Sequence, residues 1–166
     1  LGELTIMPAT GELKTGAGTQ DNHMAGYSSL YRKNKEFATA GYYKVHLERY
    51  DIDVELTATE RVGLHNYIFP DAEKSRIIID LGEGSADRPT ETYIKKVNDT
   101  LFEGHRFSTG WAKDQREYFS LIISKPVSDF IVYDRHKKFK GTERKGDYVK
   151  GFLEFATGKD EKIMVK

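Results

Sequence analysis

GYYKVHLERYDIDVELTATERVGLHNYIFP, residues 41–70, decides how the chain is read. In Tyr43, Val45 and Leu47, and again in Val54, Leu56 and Ala58, apolar residues recur at every second position, with Lys44, His46, Asp53, Glu55 and Thr57 between them. Alternate side chains of an extended strand point to opposite faces, so this is the period of strands half buried on a core. Tyr50 and Asp51 sit between the two runs and leave room only for a tight hairpin. A third run, Val62 to Phe69, follows at once and is stopped by Pro70 and Asp71. The centre reads as a β-meander.

Downstream, Arg76-Ile77-Ile78-Ile79-Asp80-Leu81 is a continuous β-branched run, the pattern of a strand covered on both faces. Residues 92–106 give two short strands around the turn pair Asn98-Asp99, and Tyr118 to Ile123 gives another, closed by Pro126. Phe130 to Tyr133 and Val149 to Phe155 alternate as an antiparallel pair. Between them, residues 134–150 hold seven Lys/Arg against three Asp/Glu and read as a solvated hairpin tip or loop. Upstream, Ala9 to Ala25 is rich in Gly, Thr, Asp and Asn and reads as a loop. It leads to a short strand at Tyr27 to Tyr31, and then to a charged connection, Arg32 to Thr39, for which one helical turn is the alternative. Short strands with turn signals every 8 to 12 residues or so, and no long helical period, indicate an all-β antiparallel sandwich of two packed sheets. Val45, Leu47, Val54, Leu56, Ile78, Phe119, Leu121 and Ile131 are expected inside.

At 166 residues the chain suits one domain over 1–166. Lys plus Arg and Asp plus Glu are 26 each, so no long-range field favours nucleic acid or an anionic membrane. There are no cysteines, which excludes disulfides and thiolate metal sites. No apolar stretch approaches the roughly 20 residues a membrane-spanning helix needs, and no signal-peptide pattern is present. Leu1 to Pro8 opens on a strand-like run and Lys162 to Lys166 stops in mid-pattern, whereas natural termini are usually polar and frayed. The expectation is a truncated piece of a larger protein.

Residues able to do chemistry are scattered. His23, His46, His65, His105 and His136 form no H-x-H or H-E-x-x-H pair, so no zinc motif is present. Asp51 and Asp53 could offer oxygen ligands to calcium, but without a loop of graded carboxylates around them a turn role is the simpler reading. Glu55, Glu60 and Glu117 are conceivable acid/base partners that nothing in the sequence brings across a cleft. Ser28, Ser29 and Ser120 lack the G-x-S-x-G setting of an activated nucleophile. Gly82-Glu83-Gly84 follows an apolar strand, yet no third glycine follows at the nucleotide-binding spacing and Pro89 interrupts any helix.

The strings GELTIMPATG, GYYKVHLERYDIDVELTATERVGLHNYIFP, RIIIDLG and FSTGWAKDQREYFSLIISKP resemble, in order and spacing, the N-terminal domain of glycoside hydrolase family 92, exo-acting α-mannosidases common in Bacteroidetes. The most specific pieces are Glu55 to Thr59 with Arg61, Val62, Gly63 and His65, and Ser108 to Trp111 with Gln115 and Phe119. The resemblance implies a galactose mutarotase-like supersandwich packed on a C-terminal (α/α)6 barrel of the same chain. It also implies an inverting, calcium-dependent mechanism whose acid, base and calcium ligands lie on that barrel. On this reading the chain carries no catalytic residue, metal ligand or cofactor of its own. Weak candidates for sugar contact are His65, Arg106 and Trp111. Each, like Arg61, also has a structural reading: Trp111 as a core anchor beside Gly110, the arginines as inter-strand ion pairs.

The expected function is that of an accessory domain, shaping the wall of the sugar pocket and docking the barrel. Its expected partners are that barrel and mannose-containing glycans, with weak self-association once the barrel is gone. The parent is expected in the periplasm, at the cell surface or secreted. The alternative is a stand-alone carbohydrate-binding module, which needs coplanar exposed aromatics; Tyr67, Tyr93, Tyr133 and Tyr148 are the candidates. A plain interaction sandwich needs no ligand at all.

Overall fold

The computed structural model describes residues 4–84 and 86–166. Leu1, Gly2, Glu3 and Ser85 lie outside the described residues, and with them the first positions of the opening run. In chain order the strands are β1 (Thr5–Thr10), β2 (Glu36–Thr39), β3 (Tyr42–Leu47), β4 (Ile52–Ala58), β5 (Gly63–Phe69), β6 (Ala72–Asp80) and β7 (Asp87–Lys96). They continue as β8 (Leu101–Gly110), β9 (Gln115–Ile122), β10 (Asp129–Asp134), β11 (Lys137–Phe139), β12 (Glu143–Gly146), β13 (Val149–Thr157) and β14 (Glu161–Val165). Two short 3-10 turns, His23–Ala25 and Lys33–Lys35, are the helical elements among the described residues.

All strand pairs are antiparallel, and they form three ladders rather than the two expected: β1-β6-β13-β10-β11, β12-β7-β8-β9 and β14-β5-β4-β3-β2. The chain nevertheless makes two layers, because the second and third ladders meet at a seam. Ile122 and Lys166 exchange both backbone hydrogen bonds (2.8 and 2.9 Å), and Ile123 bridges Val165. The first ladder faces this composite layer. Phe155 of β13 meets Phe69 of β5 edge to face at 5.6 Å, and Phe130 of β10 meets Phe102 of β8 at 5.3 Å, so one sheet packs on both halves of the other layer.

The meander read from residues 41–70 is β3, β4 and β5, with Val45 opposite Val54 and Val54 opposite Tyr67. Of the eight residues expected inside, Val45, Leu47, Val54, Ile78, Leu121 and Ile131 are buried, while Leu56 and Phe119 are partly buried against the same core.

The run from Arg76 to Asp80 is buried at every position, as its composition predicted. Ile77 and Ile79 face the opposing layer. Arg76, Ile78 and Asp80 face outward, where the segment 11–31 closes over them. Tyr27 Oη donates to Asp80 Oδ2 (2.8 Å), Lys150 Nζ pairs with the same oxygen (2.7 Å), and Arg76 donates to the carbonyls of Gly11 (2.7 Å) and Glu12 (3.2 Å) while pairing with Glu154. Burying these charges is tolerable only because each finds a partner. Burial and then the Asp80 charge push the Tyr27 phenol upward, so it stays a donor.

Two expectations are corrected here. Tyr27 to Tyr31 is not a strand: Tyr27 and Ser28 donate to the carbonyls of Gly16 and Ala17 in an irregular loop, and the Tyr27 side chain plugs into the core. The basic stretch 134–150 is not a bare hairpin tip either. β11 returns along β10, and the chain then crosses to the other layer, where β12 adds to the edge of β7. Its charge is carried on strand surfaces, with Arg144 over the Phe139 ring at 3.6 Å and paired to Asp134 at 3.1 Å.

Candidate functional site

His65, Arg106 and Trp111, the residues singled out for sugar contact, fall in three places, the second and third of which adjoin because Asp87 lies opposite Gly110. The first is a groove of about 510 Å3 at the seam, lined by Leu4 and Ile6, by Arg61 and His65, and by Glu117, Tyr118 and Ser120 of β9 among others. β5 carries His65 on the same face as the core residues Tyr67 and Phe69, at the end of the strand where that face opens. His65 Nδ1 lies 2.6 Å from Tyr67 Oη, and burial lowers the imidazole pKa below its ordinary value, favouring the neutral ring. Arg61 is exposed in the turn between β4 and β5 instead of bridging strands, which corrects its ion-pair reading.

The second place is built on Arg106, which is 1% exposed on β8. Its Nε donates to the Leu81 carbonyl (2.8 Å), and its two terminal nitrogens clasp the Asp87 carboxylate (2.5 and 3.1 Å). The guanidinium beside Asp87 holds that carboxyl below the usual range. This is the inter-strand ion pair predicted for Arg106. It also explains Gly82-Glu83-Gly84. A Cβ on Gly84 would stand 2.6 Å from Arg106 Nη2, and the Gly82 and Glu83 amides donate to Asp80 Oδ1 (2.8 and 3.2 Å). The glycine serves close packing on a buried ion pair. Buried in this way, Arg106 ties the Leu81 carbonyl to the Asp87 carboxylate.

The third place is Trp111, at the tip between β8 and β9. It is 97% exposed, so the core-anchor reading fails. The turn that ends β8, with the Gly110 amide donating to the Ala112 carbonyl (2.9 Å), holds the indole out in solvent.

Sequence reading missed a ladder of rings on the outward face of β7, β8 and β9. Tyr93 stacks on His105 (5.3 Å, 26°), His105 stacks on Phe107 (4.4 Å, 17°), and Tyr118 meets both edge-on (5.7 and 5.5 Å). His105 Nε2 also lies 2.9 Å from Glu91 Oε1, and Lys145 pairs with that carboxylate at 2.8 Å. The signal was available in the alternation of His105 and Phe107, but pairing across strands depends on register, which one sequence does not give. A sugar-stacking platform needs open ring faces, and these rings turn their faces on one another. Of the four tyrosines named for such a platform, Tyr67 is 1% exposed and Tyr93, Tyr133 and Tyr148 are half-buried.

The carboxylates do not converge. Glu55, on the outward face of β4, accepts from Asn66 (2.7 Å) and Tyr42 (2.9 Å), bonds that lower its pKa; Glu117 lines the groove; Glu60 sits in the turn after β4. His46 stands between Asp53 (2.9 Å) and Asp51 (3.5 Å), and Asp51 takes a left-handed turn conformation (φ 53°) that Asp tolerates. Among the described residues no group of three or more His, Asp or Glu is placed to hold a metal ion.

Against this geometry stand the comparisons. The family profile described as the glycosyl hydrolase family 92 N-terminal domain matches residues 1–166. The GH92 α-mannosidase BT3965 from Bacteroides thetaiotaomicron, solved in complex with mannoimidazole, is 26% identical with a TM-score of 0.95, over 99% of this chain and 23% of that one. The GH92 inverting mannosidase BT2199 from Bacteroides thetaiotaomicron VPI-5482 shares the fold at 24% identity and a TM-score of 0.79, over 98% of this chain and 21% of that one. The chain thus spans under a quarter of the length of these solved enzymes. No curated protein matches it.

Proposed function

Because the chain belongs to the glycosyl hydrolase family 92 N-terminal domain, we propose that it works as the accessory β-sandwich of a calcium-dependent, inverting exo-α-mannosidase. The observation that carries the reading is the match to a mannosidase over 99% of this chain at a TM-score of 0.95, with most of that enzyme lying elsewhere. Among the described residues no group of three or more His, Asp or Glu side chains is placed to hold a calcium ion. We therefore place the metal, the general acid and the general base on the rest of the enzyme. This chain contributes a wall: the buried Arg106–Asp87 pair holds Leu81 and Asp87 together, and the seam groove offers Arg61 and His65 as hydrogen-bonding groups. Mannose-containing glycans are the proposed substrate class, and a periplasmic, cell-surface or secreted location is proposed with them.

The test compares this chain alone with the full-length enzyme on an aryl α-mannoside, with calcium and with a chelator. Full-length enzyme should turn over in calcium with inversion at the anomeric carbon, read by NMR, and this chain alone should not. Turnover by the isolated chain, lost on a point change within it, would overturn the division of labour. A stand-alone carbohydrate-binding module would instead show calcium-independent binding of mannosides to the isolated chain by calorimetry, lost in Trp111→Ala, the ring whose faces are free.

A further inference from the structure

Residues 134–150 carry seven Lys/Arg against three Asp/Glu, a local excess of positive charge in a chain whose totals balance. The structure sorts these cations into two sets. Four are matched: Arg135 pairs with Asp147 (3.2 Å), Arg144 with Asp134 (3.1 Å), Lys145 with Glu91 (2.8 Å) and the buried Lys150 with Asp80 (2.7 Å). Lys137, Lys138 and Lys140 are exposed and have no carboxylate partner among the described residues. All three lie in β11 or just after it, on the outermost strand of the first ladder. Lysines on an edge strand discourage stray pairing, which accounts for those within β11 but not for Lys140 beyond its end. Like charges this close repel one another, and an anion on this face would relieve them.

We propose that the β10–β11 hairpin binds a linear anionic polysaccharide, a glycan bearing carboxylate or sulfate groups along its length. Charge complementarity sets the sign of the partner, and the neighbouring rings set its class. Arg144 lies 3.6 Å over Phe139, with the Lys137 ammonium 5.3 Å from the same ring, and Arg135 lies 4.2 Å over Tyr148. Single-stranded nucleic acid is held by stacking its bases on open ring faces, and these faces are already taken by cations. A lipid surface takes up exposed apolar side chains beside the cations, and neither Phe139 nor Tyr148 is exposed. Lysine ammoniums are point charges on flexible stems, suited to anions that recur along a chain rather than to one phosphate gripped by a planar guanidinium. Binding there would hold the protein against an acidic carbohydrate matrix through residues separate from Arg61 and His65.

The probe is a fluorescein-labelled heparin oligosaccharide, read by anisotropy with the full-length enzyme as salt is raised. The triple variant Lys137→Gln, Lys138→Gln, Lys140→Gln should bind it at least about tenfold more weakly than wild type at low salt. Each lysine lost from a nucleic-acid complex lowers the slope of log affinity against log salt by about one, and counterion release works alike on any densely charged linear polyanion. The slope should therefore fall by about two to three. A control, Lys74→Gln, Lys159→Gln, Lys162→Gln, removes the same charge from exposed positions outside the hairpin and should stay within about twofold of wild type. All six lysines are exposed, so a loss reports contact and not unfolding. No loss in the hairpin variant, or an equal loss in both, would overturn the proposal. So would hairpin-dependent binding of a single-stranded oligonucleotide or of phosphatidylglycerol vesicles as tight as that of the heparin probe, which would assign the hairpin to nucleic acid or to a lipid surface. Binding is read without turnover, so an active mannosidase whose hairpin ignores heparin would sink this inference and leave the proposed function standing.

Discussion

Arg106 and Asp87 show what a residue's setting decides and its type does not. Their side chains are 1% and 5% exposed, so removing one partner strands a buried charge. Asp87→Asn should cost about 3 kcal/mol, while a paired Arg106→Met, Asp87→Leu replacement should cost much less. Chemical denaturation checks both. Asp87 has its pKa lowered in the fold, so its contribution is complete above the unfolded-state value near 4 and is lost as pH falls through the lower folded value. The wild-type loss of stability below about pH 4 should therefore be visibly flatter in Asp87→Asn. Trp111 points the other way. With 97% of it in solvent, Trp111→Ala should shift stability by no more than about 0.5 kcal/mol. A core anchor would have cost several times that, and a thermal melt distinguishes the two. The ion pair was legible from an arginine at an inward strand position. The exposed tryptophan was not, because hydrophobicity predicts burial only on average and a loop tip obeys its turn geometry first.

For whole elements, legibility followed periodicity. β3, β4, β5, β6, β10 and β13 were readable because an alternating or continuous apolar run reports the faces it must cover. β11 and β12 were not, because a basic stretch looks alike on a loop and on an edge strand, where lysines discourage further pairing. Tyr27 to Tyr31 misled for a related reason: its alternation reflects a single tyrosine plugging the core beside exposed neighbours. β13 carries a tighter constraint. A Cβ on Gly151 would stand 2.6 Å from Ile94 Cδ1 of the opposing layer and 3.1 Å from the Phe130 ring. Gly151→Ala should destabilise by about 1–3 kcal/mol through overpacking, and the companion change Ile94→Val should recover part of it. A double-mutant cycle with no coupling would show that the layers do not meet there.

At the scale of the molecule, two layers made of three ladders hold together through one strand. β14 completes the ladder of β5 on one side, and its end carries the seam to β9 on the other. Ile163, at 1% exposure, lies on β14 opposite Tyr67 of β5 and two residues before the seam bridge at Val165. Ile163→Ala should cost about 2–5 kcal/mol. Its signature lies in where hydrogen exchange quickens: amides of both β5 and β9 should lose protection together, while the β6–β13 ladder keeps its own. The sandwich class was legible from strand count and spacing. The seam was not, since nothing local in Lys162 to Lys166 says which two strands it will lie between.

That seam also sets a timetable for synthesis. β5 emerges from the ribosome well before β14, its partner on one side, which is made roughly a hundred residues later, so its backbone groups wait unpaired over that interval. An open strand edge carrying Leu64, Tyr67 and Phe69 is a template for wrong pairing with other nascent chains. Nascent chains stalled with the ribosome exit just before Glu161 should bind holdase chaperones or aggregate, and those whose exposed part includes β14 should do so far less. The strand that joins the two halves of the layer is thus also the one that closes the open edge of β5.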